Sequence, residues 1–252
     1  MRLKGRTVHI TGGTGGLGRP VVRLLEKEGA IVHLHDRSKD GDLAENIDAL
    51  CKRLAANPPD ILVNMAGINV LDWCENQNAE QIIRINLLAP VRLIQAVLPG
   101  MKKRGSGHIV NVGSMTGLIP LPYYSCYVAT KAGLKGFNDA LRRELYDSGI
   151  VLTHIAPRAV QTNMNEGAIA DFNRQTHVYV DKADKIAARI LRAILTQEKD
   201  VRIGWPERLY AFVSFLLPGV IDKGLEAHRV AGSEVITEYK NKEKKDEENT
   251  AA

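Results

Sequence analysis

Thr7-Val-His-Ile-Thr-Gly-Gly-Thr-Gly-Gly-Leu-Gly18 sets a short β-branched, apolar run directly before a stretch crowded with glycine. The residues that follow, 17–28, space their apolar side chains at helical intervals, so the segment reads as strand, tight turn and helix. Glycine lets the backbone turn sharply and approach an anion closely, and the free N–H groups at a helix N-terminus face that anion. A dinucleotide pyrophosphate suits such a place, with Gly12, Thr14, Gly16, Leu17 and Gly18 around it. At the end of the next apolar run, His33-Leu-His-Asp-Arg37, stands Asp36, where a carboxylate can accept hydrogen bonds from ribose hydroxyls. A carboxylate there repels a 2′-phosphate, which favours NAD over NADP; Arg37 and Lys39 act the other way, since either can reach such a phosphate. His33 and His35 alternate along one strand and read as edge or packing residues, and no metal-ligand set is visible.

The rest of the chain repeats the opening pattern. Strand candidates at 7–10, 31–34, 61–63, 108–112, 151–155 and 201–203 alternate with helical periodicity over 17–28, 79–103, 127–147 and 181–196. That alternation predicts an α/β fold, a doubly wound parallel sheet with helices on both faces. With 252 residues, 44% hydrophobic and 25% charged, one soluble domain over 1–232 is expected, followed by a solvated, disordered charged tail over 238–252. No secretory leader is expected before the first strand, and three cysteines without C-x-x-C spacing suit reduced thiols in the cytoplasm. The net charge of +5 is spread along the chain without a basic stripe, which argues against nucleic acid as a partner.

A second stretch carries chemistry. Tyr123-Tyr-Ser-Cys-Tyr-Val-Ala-Thr-Lys131 offers three tyrosines, and only Tyr127 has a lysine four residues on, on the same face of a helix. A phenol of pKa about 10 is a poor base at neutral pH. The ammonium of Lys131, together with an oxidised nicotinamide, brings such a phenol down toward about 7. Ser114 ends the strand 108–112 with a hydroxyl at the carboxyl edge of a parallel sheet, where ligands gather. Asn64-Met-Ala-Gly67 closes the strand before it, and Asn86 is a polar amide inside an apolar helix.

Taken together, Thr11-Gly12 with Gly16 and Gly18, Asn64-Met-Ala-Gly67, Asn86, Ser114, Tyr127 with Lys131, and Pro157-Arg-Ala-Val-Gln-Thr162 resemble the short-chain dehydrogenase/reductase family over roughly residues 5–205. The resemblance implies a Rossmann-like oxidoreductase, a homodimer or homotetramer, moving hydride between a nicotinamide and a carbonyl or alcohol carbon. It implies Tyr127 as general acid/base, Lys131 on the nicotinamide ribose, Ser114 on the substrate oxygen and Asn86 anchoring a relay water. Asn64, Ala66 and Gly67 would shape the adenosine side, and Thr162 would meet the carboxamide. Three departures stand out. Only residues 37–63 separate Asp36 from Asn64, so one crossover helix is expected to be reduced, with a third strand near Asp42-Leu43. Met65 replaces a second asparagine. Arg158 follows Pro157 where the family has glycine, and three readings of it stay open: on a phosphate, on an acidic substrate, or pointing outward.

Substrate selection is expected in 163–180 and in the extension 205–232. The run 205–221 is dense in apolar and aromatic residues but too short and too proline-bounded to span a bilayer. It reads either as a helix packed on the body or a sister subunit, or as a greasy lid and peripheral membrane contact for an acyl-chain or other lipid-like substrate. Two other function classes compete: a nucleotide sensor without turnover, which would not need Tyr127 and Lys131, and a sugar-nucleotide epimerase, which needs a larger C-terminal part.

Overall fold

The computed structural model describes residues 1–251; the side chains of Ser38, Lys39 and Ala251 are outside the described set, and so is the expected contact of Lys39 with a 2′-phosphate. Among the described residues six strands form: β1 (Thr7–Thr11), β2 (Ile31–His35), β3 (Ile61–Asn64), β4 (Gly107–Val112), β5 (Ile150–Ala156) and β6 (Asp200–Arg202). They make one sheet in the order β2-β1-β3-β4-β5-β6, with every pair parallel. The helices are α1 (Gly18–Lys27), α2 (Arg37–Asp40), α3 (Leu43–Ala56), α4 (Ala79–Ile83), α5 (Ala89–Arg104), α6 (Ser125–Glu144), α7 (Ala168–Gln175), α8 (Ala183–Thr196), α9 (Trp205–Leu216), α10 (Pro218–Gly224) and α11 (Glu226–Ala251).

Strands buried on both faces must be apolar nearly throughout, and β3, Ile-Leu-Val-Asn, is buried at all four positions. Alternate side chains serve two cores. Val8, Ile10 and Val63 meet Val21 and Leu25 of α1 and Ile186, Ile190 and Ile194 of α8 on one face. Leu62 and Ile109 meet Leu50 and Leu54 of α3, Leu93 and Val97 of α5 and Leu141 of α6 on the other. Helices on both faces make the fold doubly wound and Rossmann-like, as the alternation predicts. The chain passes from β1 to β2 on one side and returns to β3 on the other, so a crevice opens at the carboxyl ends of β1 and β3, where open α/β sheets bind ligands. The run Ala79–Arg104 is apolar and long enough to cross a membrane by composition, but Leu93, Ile94, Val97 and Met101 belong to the second core.

The shortened segment between β2 and β3 departs from expectation. No strand forms near Asp42-Leu43: Asp42 has extended backbone and its Oδ1 accepts the Ala44 N–H at 2.8 Å, capping α3. An aspartate ahead of a helical run satisfies a donor that the helix itself leaves open, and this outweighs the strand preference of two residues. The connection is reduced to the single turn of α2 plus α3, which leaves β2 at the sheet edge with Ile31 51% exposed.

The end of the chain also differs from the expected boundary at 232. In α11, Val235 and Ile236 join Tyr124, Tyr127 and Phe172 in a small core. The Tyr239 hydroxyl donates to Asp171 at 2.8 Å and Lys240 pairs with Asp72 at 2.9 Å, so the body runs on to residue 240. From 241 to 250 the helix continues with exposed side chains instead of ending as a disordered tail. Lysine and glutamate are good helix formers, and pairs such as Lys242 with Glu238 at 2.7 Å support the turn.

Candidate active site

The glycine turn after β1 is built so that side chains would not fit. Gly12 has φ +75, and a Cβ there would stand 2.7 Å from the Ala66 nitrogen; a Cβ on Gly18 would stand 2.1 Å from the Gly12 carbonyl oxygen. The loops after β1 and β3 therefore touch through bare backbone, with α1 starting at Gly18 against them. This is a cradle for a phosphate chain, and it forms one end of a cavity of about 1000 Å³ lined by Gly12, Thr14, Gly16, Leu17, Gly18, Ala66, Gly67 and Thr162. On the observed geometry the residues fit a dinucleotide pyrophosphate.

The same cavity reaches Ser114, Tyr127 and Lys131. Ser114 caps a short 3-10 turn, Met115–Gly117, and its hydroxyl accepts hydrogen bonds from the Thr116 N–H at 3.2 Å and the Thr116 hydroxyl at 2.8 Å. Tyr127 and Lys131 lie in the first turns of α6, both buried, with Nζ 5.5 Å from the ring centroid and donating to the Val112 carbonyl at 3.2 Å. Burial pushes the Tyr127 hydroxyl up to about 12, against a hydrogen bond with Ser114 that lowers it. Burial pushes the Lys131 ammonium down to about 8. Both groups lose water, and desolvation penalises the charged form of each.

The other two tyrosines have separate tasks. Tyr123, at φ 67, stands edge-on to Trp73 with centroids 5.1 Å apart and donates to the Arg229 carbonyl at 2.7 Å, tying α11 to the loop. Tyr124 is a buried wall of the cavity, edge-on to Phe172 at 5.7 Å, with its hydroxyl pushed above its usual value by burial.

Several expected site residues lie off the cavity. Asn86 sits in a π turn, Arg84–Leu88, between α4 and α5; its Oδ1 accepts the Ile68 N–H and its Nδ2 donates to the Ile68 carbonyl, both at 2.8 Å. Its side chain is occupied in holding the loop after β3. Asn64 lies behind the wall, donating to Asn111 Oδ1 at 2.9 Å, while Asn111 donates to Asn138 of α6 at 3.1 Å. Asp36 and Arg37 do not line the cavity either. The Asp36 N–H donates to Asp40 Oδ2 at 2.9 Å, and Arg37 pairs with Asp42 at 3.0 Å, because the missing strand lets α2 turn tightly at the end of β2.

Arg158 lines the cavity and does not point outward. Its Nε donates to Asp181 Oδ2 at 2.7 Å and its Nη1 to Glu207 Oε1 at 3.1 Å, and the guanidinium lies 3.9 Å from the Tyr179 ring centroid. The Asp181 side chain is fully buried, and Lys185 also reaches it at 2.9 Å. Burial raises the Asp181 carboxyl, and the two cations more than offset this, holding it below its ordinary value. Arg158 therefore bolts the start of α9, through Glu207, to the loop after β5. Beyond that bolt α9 is thinly seated: Ala211 joins Met115, Ile119 and Ala156, while Pro206 and Tyr210 face the cavity. Sequence reasoning did not identify Tyr124, Asn173, His177 and His228 as cavity residues; Tyr124 sits beside the recognised motif, and the rest carry no local signal.

A model of the short chain dehydrogenase family matches residues 42–172. The chain is 31% identical over 240 residues to the 3-oxoacyl-(acyl-carrier-protein) reductase FabG of Vibrio cholerae, covering 86% of this chain and 91% of that one. Among solved structures, a short chain dehydrogenase from Burkholderia cenocepacia in complex with NADP superposes with a TM-score of 0.75 at 21% identity, covering 90% of this chain and 99% of that one. A short-chain dehydrogenase from Sphingobium yanoikuyae in complex with NADPH gives 0.71 at 26%, covering 86% and 95%. With a glycine cradle and a Ser-Tyr-Lys group on one cavity, in this fold and with these relatives, the chain belongs to the short-chain dehydrogenase/reductase family and is an NAD(P)-dependent oxidoreductase of that type.

Proposed function

We propose that the protein interconverts a secondary alcohol and a ketone, with Tyr127 giving or taking the proton at the substrate oxygen. The observation that carries this reading is the meeting of Tyr127, Ser114 and Lys131 on one cavity with the glycine turn. Bound there, a nicotinamide dinucleotide supplies or accepts the hydride. Ser114 holds the substrate oxygen beside the Tyr127 hydroxyl. Lys131 would take the nicotinamide ribose, and its charge together with that of an oxidised nicotinamide would oppose the burial that raises Tyr127. Thr162 meets the carboxamide end, and Asn86 acts by fixing the loop that carries Ala66 and Gly67.

The substrate in this reading is lipid-like or acyl-chain in character, which the apolar lining of Met115, Ile119, Leu121 and Ile169 favours and the acyl-reductase relative supports. NAD is the preferred cofactor in this reading if the Asp36 carboxylate, which lies off the cavity, reaches the adenosine ribose on binding; NADP and NADPH, which two solved relatives carry, are the competitors. We further take residues 1–240 as one domain, a homodimer or homotetramer in the cytoplasm, with 205–221 covering the substrate and touching a membrane.

The test is Tyr127→Phe assayed with medium-chain ketones and alcohols. Turnover falls by about 10²–10⁴ while NAD(P)H affinity stays close to that of the unmodified protein; retained turnover removes Tyr127 from the mechanism. Parallel titration with NADH and NADPH decides the cofactor, and tighter NADPH binding overturns the preference for NAD.

A further inference from the structure

The α9–α10 pair carries an apolar face that, among the described residues, no part of the chain covers. Trp205, Leu209, Phe212 and Leu216 recur at helical spacing along α9, and Phe215, Leu217 and Val220 extend the surface through α10. Trp205 is 74% exposed, Phe212 59% and Phe215 85%. Single exposed apolar residues need no explanation, but a helical stripe ending in aromatics does. The run 209–221, Leu-Tyr-Ala-Phe-Val-Ser-Phe-Leu-Leu-Pro-Gly-Val-Ile, holds no charged residue.

Its borders carry the charge. Glu207 is taken up by Arg158 and turned inward, whereas Arg208 and Lys223 stand exposed at the two ends and, among the described ion pairs, have no carboxylate partner. Asp222 is the one exposed acid between them, so the rim is net positive on a chain of charge +5. An apolar stripe with tryptophan near its edge and cations around it matches the boundary of an anionic bilayer, acyl chains within and phosphate groups at the rim.

The inner side of the same elements closes the catalytic cavity: Pro206, Tyr210 and Leu225 line it, and α9 hangs from the body by the Arg158–Glu207 pair and Ala211. We propose that α9–α10 docks on an anionic membrane surface, inserting Phe212, Phe215 and Leu216, and that the cavity takes its carbonyl or alcohol substrate from the bilayer through the mouth beneath α9. This rests on the reading of the cavity as the site of an apolar carbonyl, and it adds where that carbonyl comes from.

The test is flotation of the full chain with vesicles of phosphatidylcholine alone or mixed with phosphatidylglycerol. The unmodified protein floats with the mixed vesicles; Phe212→Ser/Phe215→Ser loses at least about tenfold in partition, and Arg208→Glu/Lys223→Glu loses several-fold on anionic vesicles only. Neither pair lines the cavity, so turnover of a water-soluble short-chain ketone is unchanged in both. As a second readout, brominated lipid quenches the fluorescence of the unmodified chain but not of Trp205→Phe. Failure of the unmodified protein to float, or equal flotation of the phenylalanine double variant, overturns the proposal. A fall in solution mass on Phe212→Ser/Phe215→Ser without flotation of the parent overturns it in favour of a second copy. Flotation involves no hydride transfer, so a Tyr127→Phe protein that floats but does not turn over separates this inference from the activity it builds on.

Discussion

Arg158→Leu removes the guanidinium from three partners at once, and the cost follows from what each is left with. Asp181 is fully buried and loses hydrogen bonds of 2.7 and 3.4 Å, keeping only Lys185 at 2.9 Å, whose side chain is 63% exposed. Breaking a buried pair from one side costs about 3–5 kcal/mol because the remaining charge is stranded. Retention of the Lys185 pair reduces this to about 2–3 kcal/mol, since an exposed lysine can follow the carboxylate but screens it poorly. For a chain of this size the melting temperature then falls by about 4–12 °C. Equilibrium denaturation of Arg158→Leu, Asp181→Asn and the double variant provides the test. The double variant should be more stable than Arg158→Leu alone, because the stranded charge has gone, with a coupling of about 1–3 kcal/mol. A coupling below about 0.3 kcal/mol would mean that Asp181 does not depend on the arginine.

Three further outcomes are expected. Lys131 has a folded pKa near 8 against 10.5 for the ordinary ammonium, so between those values the unfolded chain binds more protons and stability rises with pH; denaturation at pH 7.5, 9 and 10 should show a rise that flattens in Lys131→Met, and equal slopes would remove the burial argument. Gly12→Ala places a Cβ 2.7 Å from the Ala66 nitrogen at a φ of +75, so dinucleotide affinity measured by NADH fluorescence should fall at least about tenfold; unchanged affinity would put the pyrophosphate elsewhere. Asp36→Ala should move the ratio of NADH to NADPH binding toward NADPH, and an unmoved ratio would leave the carboxylate outside the adenosine pocket.

The strands and the site were legible to different depths for a physical reason. A buried parallel strand must be apolar and β-branched wherever it lies, so 61–63 and 108–112 announced themselves, and a glycine turn between strand and helix is unusual enough to read locally. Tyr127 was legible because its partner is one helical turn away. Arg158 was not, because Asp181 and Glu207 are distant in the chain and a cation does not reveal its counter-ion. The strand expected near Asp42-Leu43 does not form for the opposite reason: two residues carry too little periodicity to tell a strand from a helix cap. The seating of α11 depends on Val235 and Ile236, which lie between the expected domain end at 232 and the charged run from 238.

The amide relay Asn64–Asn111–Asn138 crosses the sheet from the end of β3 through β4 to α6. Apolar contacts tolerate a helix sliding along its groove, since one methyl replaces another at little cost. Buried amides do not, because each must find its partner within hydrogen-bond distance or leave a polar group stranded. A shift of α6 by one residue, about 1.5 Å along its axis, breaks the relay. The relay thus acts as a vernier: it sets the axial position of the helix bearing Tyr127 and Lys131 against the loop bearing Ala66 and Gly67. The distance over which a proton and a hydride must be delivered together is gauged by side chains that meet neither.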